Sequence, residues 1–296
     1  MLASSALIAH TTKLEIVIRH VLAGLGQGVH AGRERGSGVE FSEYRAYAPG
    51  DEWRRVDWKL LARADRYYVR EAERDSHVAV WLVLDASASM AEPSRSIPGL
   101  DKLGYARTLL ACVAAIAQRQ GDAFGLAVLN NGRVHLVPAA RGPRQLQRVL
   151  AKLTQAEAAG GLPDAEALRS GLRFTGSPSL IFAATDFLDW PSPLSEALVR
   201  LRHMRHDVRA ACLQTEAECT GSFDAASAYR DPENEGGIFR FGADLREAYL
   251  RNRDTHFGAV TAALRASDVP LVHARIEQAP GEVLRQWLRQ SQGGRR

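Results

Sequence analysis

The stretch VAVWLVLDASASMAE, residues 78 to 92, decides the fold. It opens on an uninterrupted apolar run, Val78 to Leu84, which fits a central β-strand covered on both faces. The run ends in Asp85, with Ser87 and Ser89 following at alternate positions. Serine and aspartate after a strand are good caps for a following helix, because their oxygens accept its free amides. The same spacing also offers one carboxylate and two hydroxyls to a single point, the hard-oxygen chemistry that a magnesium ion takes.

Outward from this stretch, strands and helices alternate in the manner of a mostly parallel sheet. DKLGYARTLLACVAAIAQRQG, residues 101 to 121, reads as a helix closed by Gly121. AFGLAVL and VHLVPA flank NNGR, whose Asn131-Gly132 pair favours a tight hairpin. After a helix from Pro143 and a loop and short helix in GGLPDAEALRSGL comes PSLIFAATDFLD, a second buried strand ending in an acid, Asp186. A helix near Leu194 to Arg202 and the strand DVRAACL continue the pattern. Residues 220 to 242 interrupt it, with two short β segments around DPENEGG reading as a hairpin excursion. A long helix from Gly242 to Asp268, the strand VPLVHARI and the helix PGEVLRQWLRQ then complete the sheet. The expected fold is α/β, a mostly parallel sheet with helices on both faces over residues 76–296. Residues 1–75 precede it as an N-terminal helix and a small Arg/aromatic-rich subdomain.

In an open α/β sheet, ligands gather at the carboxyl ends of the strands. Asp85 and Asp186 both stand at such ends. Ser87 and Ser89 would coordinate the ion through their hydroxyls, and the two aspartates would hold its waters and balance its charge. With few anionic ligands the metal stays electrophilic, able to accept a carboxylate from a partner protein as its last ligand.

Composition narrows the alternatives. A chain of 296 residues with 46% hydrophobic content can bury a large core. Cys112, Cys212 and Cys219 form neither a disulfide framework nor a Cys-x-x-Cys pair, and read as reduced thiols of a cytoplasmic protein. His10, Lys13, Glu15, Arg19 and His20 interrupt any apolar leader, no segment has the length of a membrane span, and Lys13 to Leu25 reads as an amphipathic helix. The net charge of +4 does not point to nucleic acid, because the Arg-rich segment from Arg33 to Asp75 carries ten Lys/Arg against ten Asp/Glu. That segment, with Trp53, Trp58, Tyr67 and Tyr68 interleaved, suits ion pairing and ring stacking. No Gly-x-Ser-x-Gly elbow or phosphate loop occurs.

LVLDASASM, the hairpin and TDFLD resemble the von Willebrand factor A fold with its metal ion-dependent adhesion site. GSGVEFSEYRAYAPGDEWRRVDWKLLAR followed by YYVREAERDSHVAVWLVLDASASM is similar to the domain of unknown function 58 family. Gly50, Asp51, Arg54, Asp57, Trp58, Ala62 and Arg63 match its Gly-Asp-x-x-Arg-x-x-Asp-Trp and Ala-Arg core. The resemblance implies a non-enzymatic interaction adaptor that works with a MoxR-type AAA+ ATPase and binds Mg²⁺, or Mn²⁺ or Ca²⁺, through Asp85, Ser87, Ser89 and Asp186. Arg54, Asp57, Trp58 and Arg63 would brace that face or dock the partner. One position departs from the pattern: Leu162 stands where a threonine ligand is expected after Gly-Gly, which leaves Asp164 as a candidate oxygen. The alternatives are a Mg²⁺-dependent phosphohydrolase built on Asp85 and a structural domain with an inactive metal site.

Overall fold

The computed structural model describes residues 14–29, 43–46, 68–71, 79–173, 178–224, 227–230 and 238–289. The chain divides into two compact units, residues 1–28 with 78–296 and residues 29–77.

In the larger unit the apolar runs become strands and the stretches between them helices. In chain order the elements are α1 (Leu14–Val29), β3 (Val80–Asp85), α2 (Lys102–Gln120), β4 (Phe124–Asn130), β5 (Arg133–Ala140), α3 (Pro143–Gln155), α4 (Ala165–Gly171) and β6 (Leu180–Thr185). They continue as α5 (Pro193–His203), β7 (Asp207–Gln214), α6 (Glu216–Thr220), β8 (Ala228–Arg230), β9 (Ile238–Arg240), α7 (Arg246–Ala266), β10 (Leu271–Arg275) and α8 (Pro280–Arg289). The smaller unit contains β1 (Glu43–Ala46) paired antiparallel with β2 (Tyr68–Glu71).

One six-stranded sheet runs in the order β10-β7-β6-β3-β4-β5. All neighbours are parallel except β5, which returns antiparallel along β4. The reversal comes from the two-residue turn at Asn131 and Gly132, both at positive φ (47° and 68°), the backbone twist a tight hairpin requires. The strand order changes direction at β3, so β3 and β6 lie side by side with Leu84 opposite Ala184. Asp85, one residue past that pair, and Asp186, two residues past it and just beyond the end of β6, therefore emerge at the same end of the sheet, at the crevice where α/β sheets hold ligands.

Strand periodicity sorts the core into two layers. Leu82 and Leu84 join α1, α2, α3 and α8 on one face, and Trp81 and Val83 join α4, α5 and α7 on the other. Helix α2 is apolar almost all round because it is covered by the sheet and neighbouring helices, with Leu109, Leu110, Ala111 and Cys112 fully buried. Helix α1 was expected to group with the segment that follows it, but Val17, Ile18, Val21 and Leu22 are buried in the first core layer, so it belongs to the α/β unit. Among the described residues no helix is long and apolar enough to cross a membrane.

The segment after α6 forms the expected hairpin, β8 pairing antiparallel with β9. Phe223, Phe241 and Tyr249 pack edge to face or tilted against one another beside it, with Tyr229 against Phe223. The Arg95 guanidinium stacks 5.4 Å from the ring centres of Phe223 and Tyr229. The loop after β3 is thereby tied to the excursion, since a cation over an aromatic face is attracted by the ring quadrupole.

Candidate functional site

At the junction of β3 and β6 the backbone turns sharply and its side chains converge. Asp85 is buried, and both of its oxygens accept hydrogen bonds, Oδ1 from the Ser87 amide at 2.9 Å and Oδ2 from the Thr185 hydroxyl at 2.6 Å. Ser87 leads into a short 3₁₀ turn, Ala88–Ala91, which carries the Ser89 hydroxyl to 3.2 Å from that of Ser87. Asp85, Ser87, Ser89, Leu162, Thr185 and Asp186 all line one cavity of about 10 Å³, room for a single water-sized occupant.

The middle loop is held against this rim by its backbone. The Ala88 amide donates to the Gly160 carbonyl, Ala159 to Ala86, and Asn131 to Ala159, at 2.8 to 3.0 Å. Gly160 must be glycine: it sits at a φ of 59°, and a Cβ there would lie 2.6 Å from the Asn131 side chain. Two residues on, Leu162 presents carbon to the cavity in place of an oxygen. Asp164 is not brought to the rim. Its carboxylate is exposed and accepts from the Ala167 amide at 2.8 Å, making it the N-cap of α4, because an aspartate before a helix start is drawn to the free amides there. Arg54, Asp57, Trp58 and Arg63 lie outside the described residues.

Asp186 is placed by strand β6 and fixed from two sides. Its Oδ1 accepts from the Leu188 amide at 3.2 Å, and its Oδ2 accepts from the Lys102 ammonium at 2.8 Å. Lys102 also donates to Glu218 at 2.9 Å. Phe187 follows at a φ of 52°, a left-handed conformation costly for a bulky residue, held by its buried ring and by a contact of its carbonyl with His256 Nε2 at 2.7 Å. That bend leaves Leu188 half exposed beside the cavity.

The electrostatics differ between the two acids. Burial, then repulsion from Asp186, pushes the Asp85 carboxyl up to about 7, against hydrogen bonds from Thr185 and Ser87 that act the other way. Burial alone would lower the Lys102 ammonium, but Asp186 and Glu218 outweigh it and hold the group above the ordinary lysine range. Thr185, Lys102 and Glu218 were not anticipated from the sequence. Thr185 falls inside a strand and Lys102 inside a helix in the sequence reading, and only the approach of β3, β6, α2 and α6 brings them together.

Two features support a fit to a hard dication. The Ser87 and Ser89 hydroxyls are separated by nearly the edge, about 3.0 Å, of an octahedron of roughly 2.1 Å metal–oxygen bonds. The neighbouring carboxylate, Asp85, has only hydroxyl and amide donors facing it in the bonds described above. The fit runs through Asp85, Ser87 and Ser89, while Leu162 withholds one ligand and Asp186 is already engaged. Among the described residues no group of three or more His, Cys, Asp or Glu could hold a metal ion, so the candidate set depends on hydroxyls. A much larger groove, about 970 Å³, lies between α7 and β10 and shares no residue with the rim. Volume favours the groove, but convergent polar groups single out the rim.

A mostly parallel sheet in this order, with one reversed edge strand and helices on both faces, is the α/β architecture that the sequence resemblance implies. The chain belongs to the family described as Protein of unknown function DUF58, whose model matches residues 43–257. Uncharacterized proteins of Mycobacterium bovis and Mycobacterium tuberculosis are each 30% identical to it over 281 residues, covering 92% of this chain and 86% of theirs. Among solved structures, the conserved hypothetical protein BatB from Bacteroides thetaiotaomicron aligns at 16% identity and a TM-score of 0.43, over 71% of this chain and 98% of that one. The SpRpn10 VWA domain aligns at 10% identity and a TM-score of 0.43, over 71% and 94%.

Proposed function

We propose that the protein is a non-enzymatic interaction module whose rim, formed by Asp85, Ser87, Ser89 and Asp186, holds a Mg²⁺-type ion and captures a carboxylate of a protein partner. The observation that carries this reading is the convergence of those four residues on one small cavity beside a half-exposed leucine, Leu188. The bound ion would supply a positive charge with an open position. Ser87 and Ser89 would hold it through neutral oxygens, Asp85 would balance part of its charge, and Leu188 would give an incoming chain an apolar contact.

The family resemblance points to a MoxR-type AAA+ ATPase as the partner. Three free cysteines suit a cytoplasmic setting. The phosphohydrolase reading is weaker. Both Asp85 oxygens are already acceptors and the residue is buried, an arrangement that suits a ligand better than an attacking nucleophile.

The test is co-precipitation of the full chain with a MoxR-type ATPase in Mg²⁺ and in chelator, beside Asp85→Ala. Capture in Mg²⁺ that is lost in chelator and in the variant is the expected result. Capture that is indifferent to both contradicts the reading.

A further inference from the structure

Lysine is almost never fully buried unless paired. Lys102 has no exposed surface, although it stands at the first position of α2, just after the Asp101 cap. Its ammonium divides between two carboxylates, Asp186 Oδ2 at 2.8 Å and Glu218 Oε1 at 2.9 Å. The second oxygen of each acid is also engaged. Asp186 Oδ1 takes the Leu188 amide, and Glu218 Oε2 takes the Thr215 amide at 2.6 Å and the Thr215 hydroxyl at 3.0 Å. Asp186 lines the cavity, but each of its oxygens is already engaged by a donor.

We propose that Lys102 is a resident counter-ion of the rim, which holds Asp186 away from an incoming dication and repels that ion, so that the site binds metal loosely through Asp85, Ser87 and Ser89. The inference rests on the metal-bearing reading above and states how that site is regulated. A fixed ammonium one carboxylate away from the ion opposes it by direct charge repulsion in a poorly screened setting. It also removes a ligand. A loosely held ion needs a partner's carboxylate to complete its shell, so binding of ion and partner would be mutually reinforcing.

Charge decides the signs of the test. Lys102→Met keeps the length and apolar stem of the side chain while removing the charge, and frees Asp186. Glu218→Gln removes an acid but keeps the side chain's shape, with an amide oxygen able to accept from Thr215, and it keeps Lys102, which then bears wholly on Asp186. Mn²⁺ is titrated by calorimetry into the chelator-stripped full-length parent and into each variant, and melting curves are recorded with and without Mn²⁺. The expected result is Mn²⁺ binding at least about tenfold tighter in Lys102→Met, weaker in Glu218→Gln, and a larger Mn²⁺-induced rise in melting temperature for Lys102→Met than for the parent.

If the parent binds Mn²⁺ and folded Lys102→Met binds no tighter, the counter-ion role is wrong while the metal-bearing reading survives. If no protein binds, both fail. Binding by Lys102→Met alone supports the counter-ion role and removes the metal from the parent's function. Should Lys102→Met fail to fold even in Mn²⁺, Glu218→Gln decides, and unchanged or tighter binding there overturns the proposal.

Discussion

Asp85 sits in a position that most proteins avoid: a buried carboxylate near a second one. Ordinary exposed aspartate titrates near 3.8, but burial and the charge of Asp186 raise this one to about 7 in the folded chain. The folded state therefore holds more protons than the unfolded chain between those values, and the contribution of Asp85 to stability falls as pH rises through that window. Below about pH 4 the group is neutral in both states and the cost disappears. In chelator, Asp85→Asn is expected to melt higher than the parent at about pH 8, with the difference shrinking toward pH 5. A variant that melts lower at about pH 8, or a difference that ignores pH, contradicts this account of the residue. The convergence of Asp85, Ser87, Ser89 and Asp186 at one strand end was legible because an apolar run that leads into an acid leaves a pattern in one dimension. Thr185 and Lys102 were not, since their roles arise from contacts 100 and 84 residues away along the chain. Asp164 was ambiguous because an N-cap and a ligand demand the same side chain, and it stands as the N-cap of α4.

Helix α6 is five residues long and is stabilised mainly at its start, too short to persist on its own. Thr215 and Glu218 form a reciprocal capping box there, the Thr215 hydroxyl accepting from the Glu218 amide at 3.1 Å and the Glu218 carboxylate accepting in return. Glu218 also accepts from Lys102, and its carbonyl accepts from the Tyr249 hydroxyl at 2.9 Å, so this single turn links the rim to α7. Thr215→Ala is expected to cost about 1 kcal/mol, the usual worth of such a cap, seen as a lowered denaturation midpoint. No loss would mean that the box is incidental. At this scale the sequence was informative wherever a local rule operates. Asn131-Gly132 specified the hairpin, Gly121 ended α2 in a left-handed conformation, and the excursion resolved into β8 and β9. The extent of α1 was less legible: the amphipathic reading ended at Leu25, and the helix runs to Val29.

For the molecule as a whole, the order of the sheet explains why a rim exists at all. Reversal at β3 sets two central strands parallel and adjacent, so their terminal acids share one end, and the loops that follow diverge to leave a cavity between them. The fold was readable in outline from the alternation of runs, and the family from the long signature before the first central strand. The membership of α1 in the α/β unit was not readable, since an amphipathic helix does not declare which surface will cover it. The central claim is that this rim takes a hard cation. Calorimetric titration of Mg²⁺ into chelator-stripped parent protein and into Asp85→Ala tests it most directly. Saturable binding by the parent that disappears in the variant is the predicted result; the same heats from both proteins, or none from either, would contradict it.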